Sequence, residues 1–207
     1  MARAFEDVFG FSDGLGSISM AGRTDAWIVS QMLAEHAVAS ARPDLQRFHD
    51  VYVRHLASEV LRPSAEKRVL PGVRLLLDAL ASRDDVYLAL LTGNYRRGAE
   101  LKLEHFDLWR YFGAGAYGDD EYDRNELLWT ALTNVEALGG PRVSPSEVVI
   151  IGDTPLDVAV AVAGGARSIG VATGSHDVDR LLESGADAAL PDLSHLETVL
   201  RALKLEE

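Results

Sequence analysis

Apolar positions recur at helical spacing through the first third of the chain. Ala26, Ile28, Val29, Met32, Leu33 and Ala37 form one such set, and Phe48, Val51, Tyr52, His55 and Leu56 form another. Residues three, four and seven apart share one face of a helix, so both segments are expected to be amphipathic helices. Thr24 or Asp25 offers an N-cap for the first helix, and Arg42-Pro43-Asp44 separates the two. A glycine-rich loop spans Gly10 to Gly22. Residues 1–70 are therefore expected to be all-helical.

Beyond Leu70-Pro71-Gly72 the period changes. Helical segments at Val73–Leu80, Arg96–His105 and Asn125–Leu138 alternate with short apolar runs at Val86–Leu91, Ala114–Tyr117, Val148–Ile151 and Ser168–Ala172. A small-residue helix begins near Val158. Strands that read as continuous apolar runs between helices are buried on both faces, as in parallel βαβ units. Residues 71–207 are thus expected to be an α/β, Rossmann-like parallel sheet core. No G-x-G-x-x-G follows any of these strands, so a dinucleotide site is disfavoured.

Composition narrows the function. Lys+Arg 20 against Asp+Glu 32 give a net charge of −12, and the basic residues are scattered, so nucleic acid and anionic membrane surfaces are poor partners. With no cysteine there is no disulfide framework, thiolate metal site or Cys nucleophile. The segment from Met1 to Gly10 lacks a signal-peptide core, and the longest apolar stretch, Val158–Ala166, is far short of a membrane span. A cytoplasmic protein acting on a small soluble molecule is the expectation; oligomeric state has no signature.

In open α/β sheets, ligands sit at the carboxyl ends of strands. Three such ends carry suitable groups. At Leu91-Thr92-Gly93-Asn94, the Thr92 hydroxyl and the amides of Gly93 and Asn94 can cradle a phosphate before a helix N-terminus; a plain turn and cap explains the same residues. At Gly152-Asp153-Thr154-Pro155-Leu156-Asp157, two carboxylates four apart suit a hard cation such as Mg²⁺. An N-cap with a second acid favouring the helix dipole explains either carboxylate alone. Arg124, after the run ending at Gly118, can neutralise a phosphoryl group or simply be a solvated surface residue. Asp119 and Asp120 are expected to cap the helix that starts at Asn125. Arg23, in Gly22-Arg23-Thr24-Asp25, is a candidate contact for a substrate carboxylate or phosphate, though a solvated surface arginine is the plainer expectation. The six histidines show no ligand spacing, and Trp27, Trp109 and Trp129 are expected in the core.

In order, strand–Thr-Gly-Asn, a basic residue and strand–Gly-Asp-x₃-Asp resemble motifs two, three and four of the haloacid dehalogenase-like hydrolase superfamily. Residues 1–70 resemble its inserted helical cap, as in phosphoglycolate phosphatase-like members, and Leu70-Pro71-Gly72-Val73 resembles the return to the core. The resemblance implies Mg²⁺-dependent hydrolysis of a small phosphate monoester through an aspartyl-phosphate. Thr92, Gly93 and Asn94 would bind phosphate, Arg124 would replace the family's usual Lys, and Asp153 and Asp157 would serve the metal.

The family's first strand, ending in Asp-x-Asp-Gly, is absent. It would lie at the centre of the sheet between the strands of motifs two and four, and it carries the nucleophile. Its nearest match, Phe11-Ser12-Asp13-Gly14-Leu15, puts Phe where the nucleophile belongs and is expected to be a cap loop. Either the natural chain starts about 15–25 residues earlier, or the gene product is shortened and catalytically dead. No turnover is expected of these 207 residues alone. Three readings stand: a phosphatase lacking its first strand, a non-catalytic binder of phosphate, metal or a protein partner, and, against the Asp153/Asp157 pair, a metal-free dehalogenase.

Overall fold

Three helices, α1 (Ala2–Phe9), α2 (Asp25–Glu35) and α3 (Arg42–Val60), pack on one another before any strand forms. They are taken from a computed structural model that describes residues 1–65, 67–119 and 121–206. Asp120, weighed above, lies outside the described residues. Thr24 caps α2, its hydroxyl accepting from the Trp27 amide at 3.2 Å, and Pro43 opens α3 where its missing N–H costs nothing. The apolar stripes meet in one aromatic cluster around Phe5, Met32, Phe48 and Tyr52. The Phe5 and Phe48 rings lie 6.3 Å apart in an edge-on contact.

Phe11 to Leu15 is part of this helical layer. Asp13 lies in the loop before α2, with one oxygen 3.1 Å from His36 Nε2. His36 pins the loop from the far end of α2, and the Asp13 carboxyl is held low chiefly by that hydrogen bond.

Helices and strands then alternate: α4 (Val73–Ala81), β1 (Ala89–Leu91), α5 (Arg96–Glu104), β2 (Ala114–Ala116), α6 (Leu127–Ala137), β3 (Val149–Gly152), α7 (Pro155–Gly164) and β4 (Arg167–Val171). After these come α8 (Val178–Glu183), β5 (Ala188–Leu190) and α9 (Leu196–Leu203), which the apolar pattern alone does not single out. All pairings are parallel, as the apolar runs imply. The sheet is in two pieces, β1–β2 and β3–β4–β5. Among the described residues no ladder joins β1 to β3. Their facing edges are open: Ala89 is exposed and Ile151 is 36% exposed, whereas Ile169 in β4 is 1% exposed. The run expected to be a strand from Val86 pairs only from Ala89 onward.

Helices cover both faces. On one, Leu128 of α6 and Val160 of α7 bury Ile150, with Leu91 packed against the same cluster, so α6 spans the break. On the other, Leu76 and Leu80 of α4 meet Ile169, Val171 and Val199 of α9. Trp129 corrects an expectation: it faces outward, 48% exposed, because the buried stripe of α6 is Leu127, Leu128, Ala131 and Val135. Trp109 lies in a 3₁₀ turn (Trp109–Tyr111), half-buried and tilted against Tyr117.

Candidate functional site

The strand ends at β1, β2 and β3 open toward one mouth, over which the loop before α2 is laid. The Thr92 amide continues the β1–β2 ladder to the Ala116 carbonyl at 3.1 Å. The Thr92 hydroxyl then accepts from the Asn94 amide at 3.2 Å, folding Thr92-Gly93-Asn94 into a tight turn ahead of α5. Gly93 is required at its position. A Cβ there would run into the Arg23 carbonyl and sit 2.9 Å from Nη1 of Arg124. The same two neighbours show that residue 23 and the Arg124 guanidinium both lie against this turn.

Arg124 starts the 3₁₀ turn Arg124–Glu126, capped by Asp123, whose side chain accepts from the Asn125 amide at 3.0 Å. The residue that closes this helix start is Asp123. Asp119, expected to do so, instead accepts from the Arg96 amide at the start of α5. Arg124 Nη2 donates to Asp157 Oδ1, with side chains only 15% and 11% exposed. Its Nε is buried with no partner among the described residues. A buried guanidinium N–H without an acceptor is costly, and Nη1 is the guanidinium atom that faces the Gly93 turn.

Asp157 is more committed than its spacing suggested. Thr154, not Asp153, is the N-cap of α7, and Asp157 is the third residue of a capping box. Asp157 Oδ2 accepts from the Thr154 amide at 3.0 Å and hydroxyl at 2.8 Å, while Oδ1 takes Arg124. Asp153, one residue before the cap, is half-buried beside Gly174. Its carboxyl is raised by burial and then by the charge of Asp157, with Arg124 and His176 opposing. Among the described residues no three acidic or histidine side chains form a metal cage. The donor set fits a different mode: Mg²⁺ keeps several waters and takes one or two carboxylates plus substrate phosphate oxygens. A carboxylate placed as Asp153 is would suit that mode.

Arg23 reaches this site through its backbone. Its guanidinium stacks over Trp27, 4.5 Å from the ring centroid. Thr24, 1% exposed, donates its hydroxyl to the Tyr122 carbonyl at 3.0 Å, and the Tyr122 and Ser30 hydroxyls meet at 2.8 Å. The helical layer is therefore sewn to the loop between β2 and Arg124. Three residues that the motif pattern leaves unmarked also lie here. Asp25, 4% exposed, donates its amide to the Gly93 carbonyl at 2.6 Å and accepts from the Tyr95 amide at 2.8 Å. Lys102 Nζ donates to Asn94 Oδ1 at 2.6 Å. His49 of α3 places Nε2 3.5 Å from Asp119 Oδ1. The spacing of Asn94, just before α5, and Lys102, in its last turn, was the one local signal that could have exposed the second of these.

Thr92-Gly93-Asn94, Arg124, Asp153 and Asp157 thus share one mouth. No helix of the described residues is long and apolar enough to cross a membrane. Comparison with known proteins points the same way. A phosphorylated carbohydrates phosphatase from Thermotoga maritima is 33% identical over 135 residues, 65% of this chain and 59% of its own length. Glycerol-1-phosphate phosphohydrolase 2 from Saccharomyces cerevisiae is 30% identical over 158 residues, 73% of this chain and 61% of its own. The chain thus spans about three fifths of the curated relatives it matches. Among solved structures, a CbbY mutant from Rhodobacter sphaeroides in complex with xylulose-1,5-bisphosphate shares the fold with TM-score 0.68 at 19% identity, over 94% of this chain and 88% of that one. A predicted phosphoglycolate phosphatase from Haemophilus somnus gives TM-score 0.64 at 17% identity, over 96% and 87%. Residues 127–196 match a HAD-hydrolase-like family and residues 5–161 match the haloacid dehalogenase-like hydrolase family, which takes in α1 through most of α7. With its motifs gathered at adjoining strand ends in this fold, the chain belongs to the haloacid dehalogenase-like hydrolases.

Proposed function

We propose that the chain is the phosphate-binding and metal-binding part of a Mg²⁺-dependent phosphatase acting on a small phosphorylated carbohydrate or related monoester in the cytoplasm. The observation that carries this is the Arg124 guanidinium, held by Asp157 through Nη2 and seated with Nη1 against Gly93, beside a turn of backbone amides. Thr92 and the Gly93 and Asn94 amides bind the phosphoryl oxygens. Arg124 adds a charged donor that strengthens as charge builds on those oxygens. Asp157 holds Arg124 in place, and Asp153 is the carboxylate toward Mg²⁺, which when bound neutralises phosphate charge. Residues 1–70 serve as the cap that excludes water and carries Arg23 toward the rest of the substrate. The attacking carboxylate, and the aspartyl-phosphate it forms, belong to a strand between β1 and β3, whose edges are open.

The test has two parts. Inorganic phosphate with Mg²⁺ should bind the 207-residue chain, and Arg124→Ala should abolish that binding. Extending the chain at its N-terminus by an apolar strand ending in Asp-x-Asp-Gly should then confer hydrolysis of p-nitrophenyl phosphate that EDTA removes. Failure of wild-type chain to bind phosphate would overturn the proposal. The two-piece sheet favours a second reading, a non-catalytic phosphate binder; it predicts phosphate binding that no added strand converts to turnover.

A further inference from the structure

One buried and one half-buried charge hydrogen-bond to the Thr92–Asn94 turn and the residue after it, and the motifs account for neither. Lys102 arises from α5, in the core. Its ammonium is pushed down by burial, and the attraction of Asp25 partly restores it. Asp25 arises from the first residue of α2, in the helical layer. Burial raises its carboxyl, while the Tyr95 amide and then Lys102 oppose the rise. Each therefore holds its charge partly through the other, and both bond to the turn or the residue after it.

Their hydrogen bonds act on consecutive residues of that turn. Asp25 takes the Gly93 carbonyl with its amide and the Tyr95 amide with its carboxylate. Lys102 takes the side-chain oxygen of Asn94, and the Gly118 amide takes the Asn94 backbone oxygen at 2.8 Å. A lysine only donates, so the carboxamide of Asn94 must present its oxygen to Lys102 and its NH₂ the other way. That NH₂ has no acceptor among the described residues, which leaves two N–H bonds for an anion at the mouth.

We propose that Lys102 and Asp25 are a positioning pair that shapes the phosphate turn and makes its shape depend on the seating of the cap. Lys102 fixes the Asn94 carboxamide with its donors outward. Asp25 clamps the backbone on either side of Asn94, and it does so only while α2 is docked. A lifted cap removes the clamp and leaves Lys102 without its counter-charge. Substrate that draws the cap down thereby tightens the turn that holds its own phosphate. The inference rests on reading Thr92–Asn94 as a phosphate site.

Inorganic phosphate is the probe, titrated into wild-type chain, K102M, K102R and D25N, with thermal melts as the check on folding. K102M should weaken phosphate binding by about tenfold or more, as expected for loss of one charge-assisted contact. K102R, which keeps a cationic donor, should recover most of it. Independently of phosphate, K102M should move the Asn94 side-chain amide resonances, and D25N should speed hydrogen exchange at the Tyr95 amide while amides of β4 are unchanged. D25N carries the test if K102M does not fold, since it keeps an acceptor for Tyr95 and removes only the charge. Unaltered Asn94 resonances and phosphate affinity in a folded K102M, or unaltered Tyr95 exchange in D25N, would overturn the pair. Absence of phosphate binding in wild type would instead overturn the phosphatase reading, with the resonance and exchange results still deciding whether the clamp exists.

Discussion

The helical layer and the α/β layer solve burial differently. Residues 1–60 close on a single aromatic cluster in which Phe5, Met32 and Phe48 are each 0% exposed. The α/β layer distributes its apolar side chains over several smaller clusters and leaves a break in its sheet between β1 and β3. A helix bundle satisfies its backbone inside each element, so three helices suffice for a complete core. A parallel sheet satisfies its backbone only between neighbours, so one unfilled position leaves two edges wanting partners. The lesson is that a layer's tolerance of a missing element depends on where its hydrogen bonds go.

The comparison can be broken most forcefully at Phe48. F48A should cost about 4 kcal/mol and lower the thermal midpoint by roughly 10 °C, because Phe48 is fully buried and its loss leaves a cavity among the rings of Phe5, Phe9 and Tyr52. A loss below about 1 kcal/mol would mean that the helical layer is not a single core. Next in size, R124A strands the carboxylate of Asp157 with only its capping-box donors and should cost about 3 kcal/mol, with R124K recovering part of it. Denaturant melts of both variants would check this. The sheet break is sharpened by a matched pair: I169S, at a 1% exposed position, should cost about 3 kcal/mol, and I151S, at a 36% exposed one, about 1 kcal/mol or less. Equal losses would show that the β3 edge is as buried as the interior of β4.

The smallest effect is a pH dependence of docking between the layers. His49 is raised, first by its contact with Asp119, against burial that lowers it. Burial would raise Asp119, but His49 and the Arg96 amide together hold it below its ordinary value. A raised histidine stabilises below its unfolded value and loses that contribution as pH climbs through its folded one. A lowered carboxyl stabilises above its unfolded value and loses it as pH falls through its folded one. The pair should therefore contribute fully from about pH 4 to about 6.5 and fade on both sides. The thermal-midpoint gap between wild type and H49Q should be widest inside that window; a gap independent of pH would exclude the pair.

The sequence made part of this legible. Val148-Val149-Ile150-Ile151 followed by Gly152-Asp153 announces both strand and site because the strand is short, apolar and stopped by a turn. β5 was not legible: Ala188-Ala189-Leu190 has too little apolar character of its own and becomes a strand by pairing with β4. Asp157 is ambiguous in sequence for a related reason. An acid one turn into a helix reads alike whether it faces a cation or closes a capping box, and Thr154 decides the matter through contacts made in three dimensions. Asp25 and His49 gave no sequence signal of their contacts with Tyr95 and Asp119, because each finds its partner in another element and only the fold brings them together.

Arg23 meets Gly93 through its peptide carbonyl, a group that every amino acid possesses. The fit between the two layers at this point is consequently indifferent to which side chain residue 23 bears. Exchanging that side chain should therefore change the chemistry at the lip of the mouth while leaving the seating of the helical layer on the turn as it is.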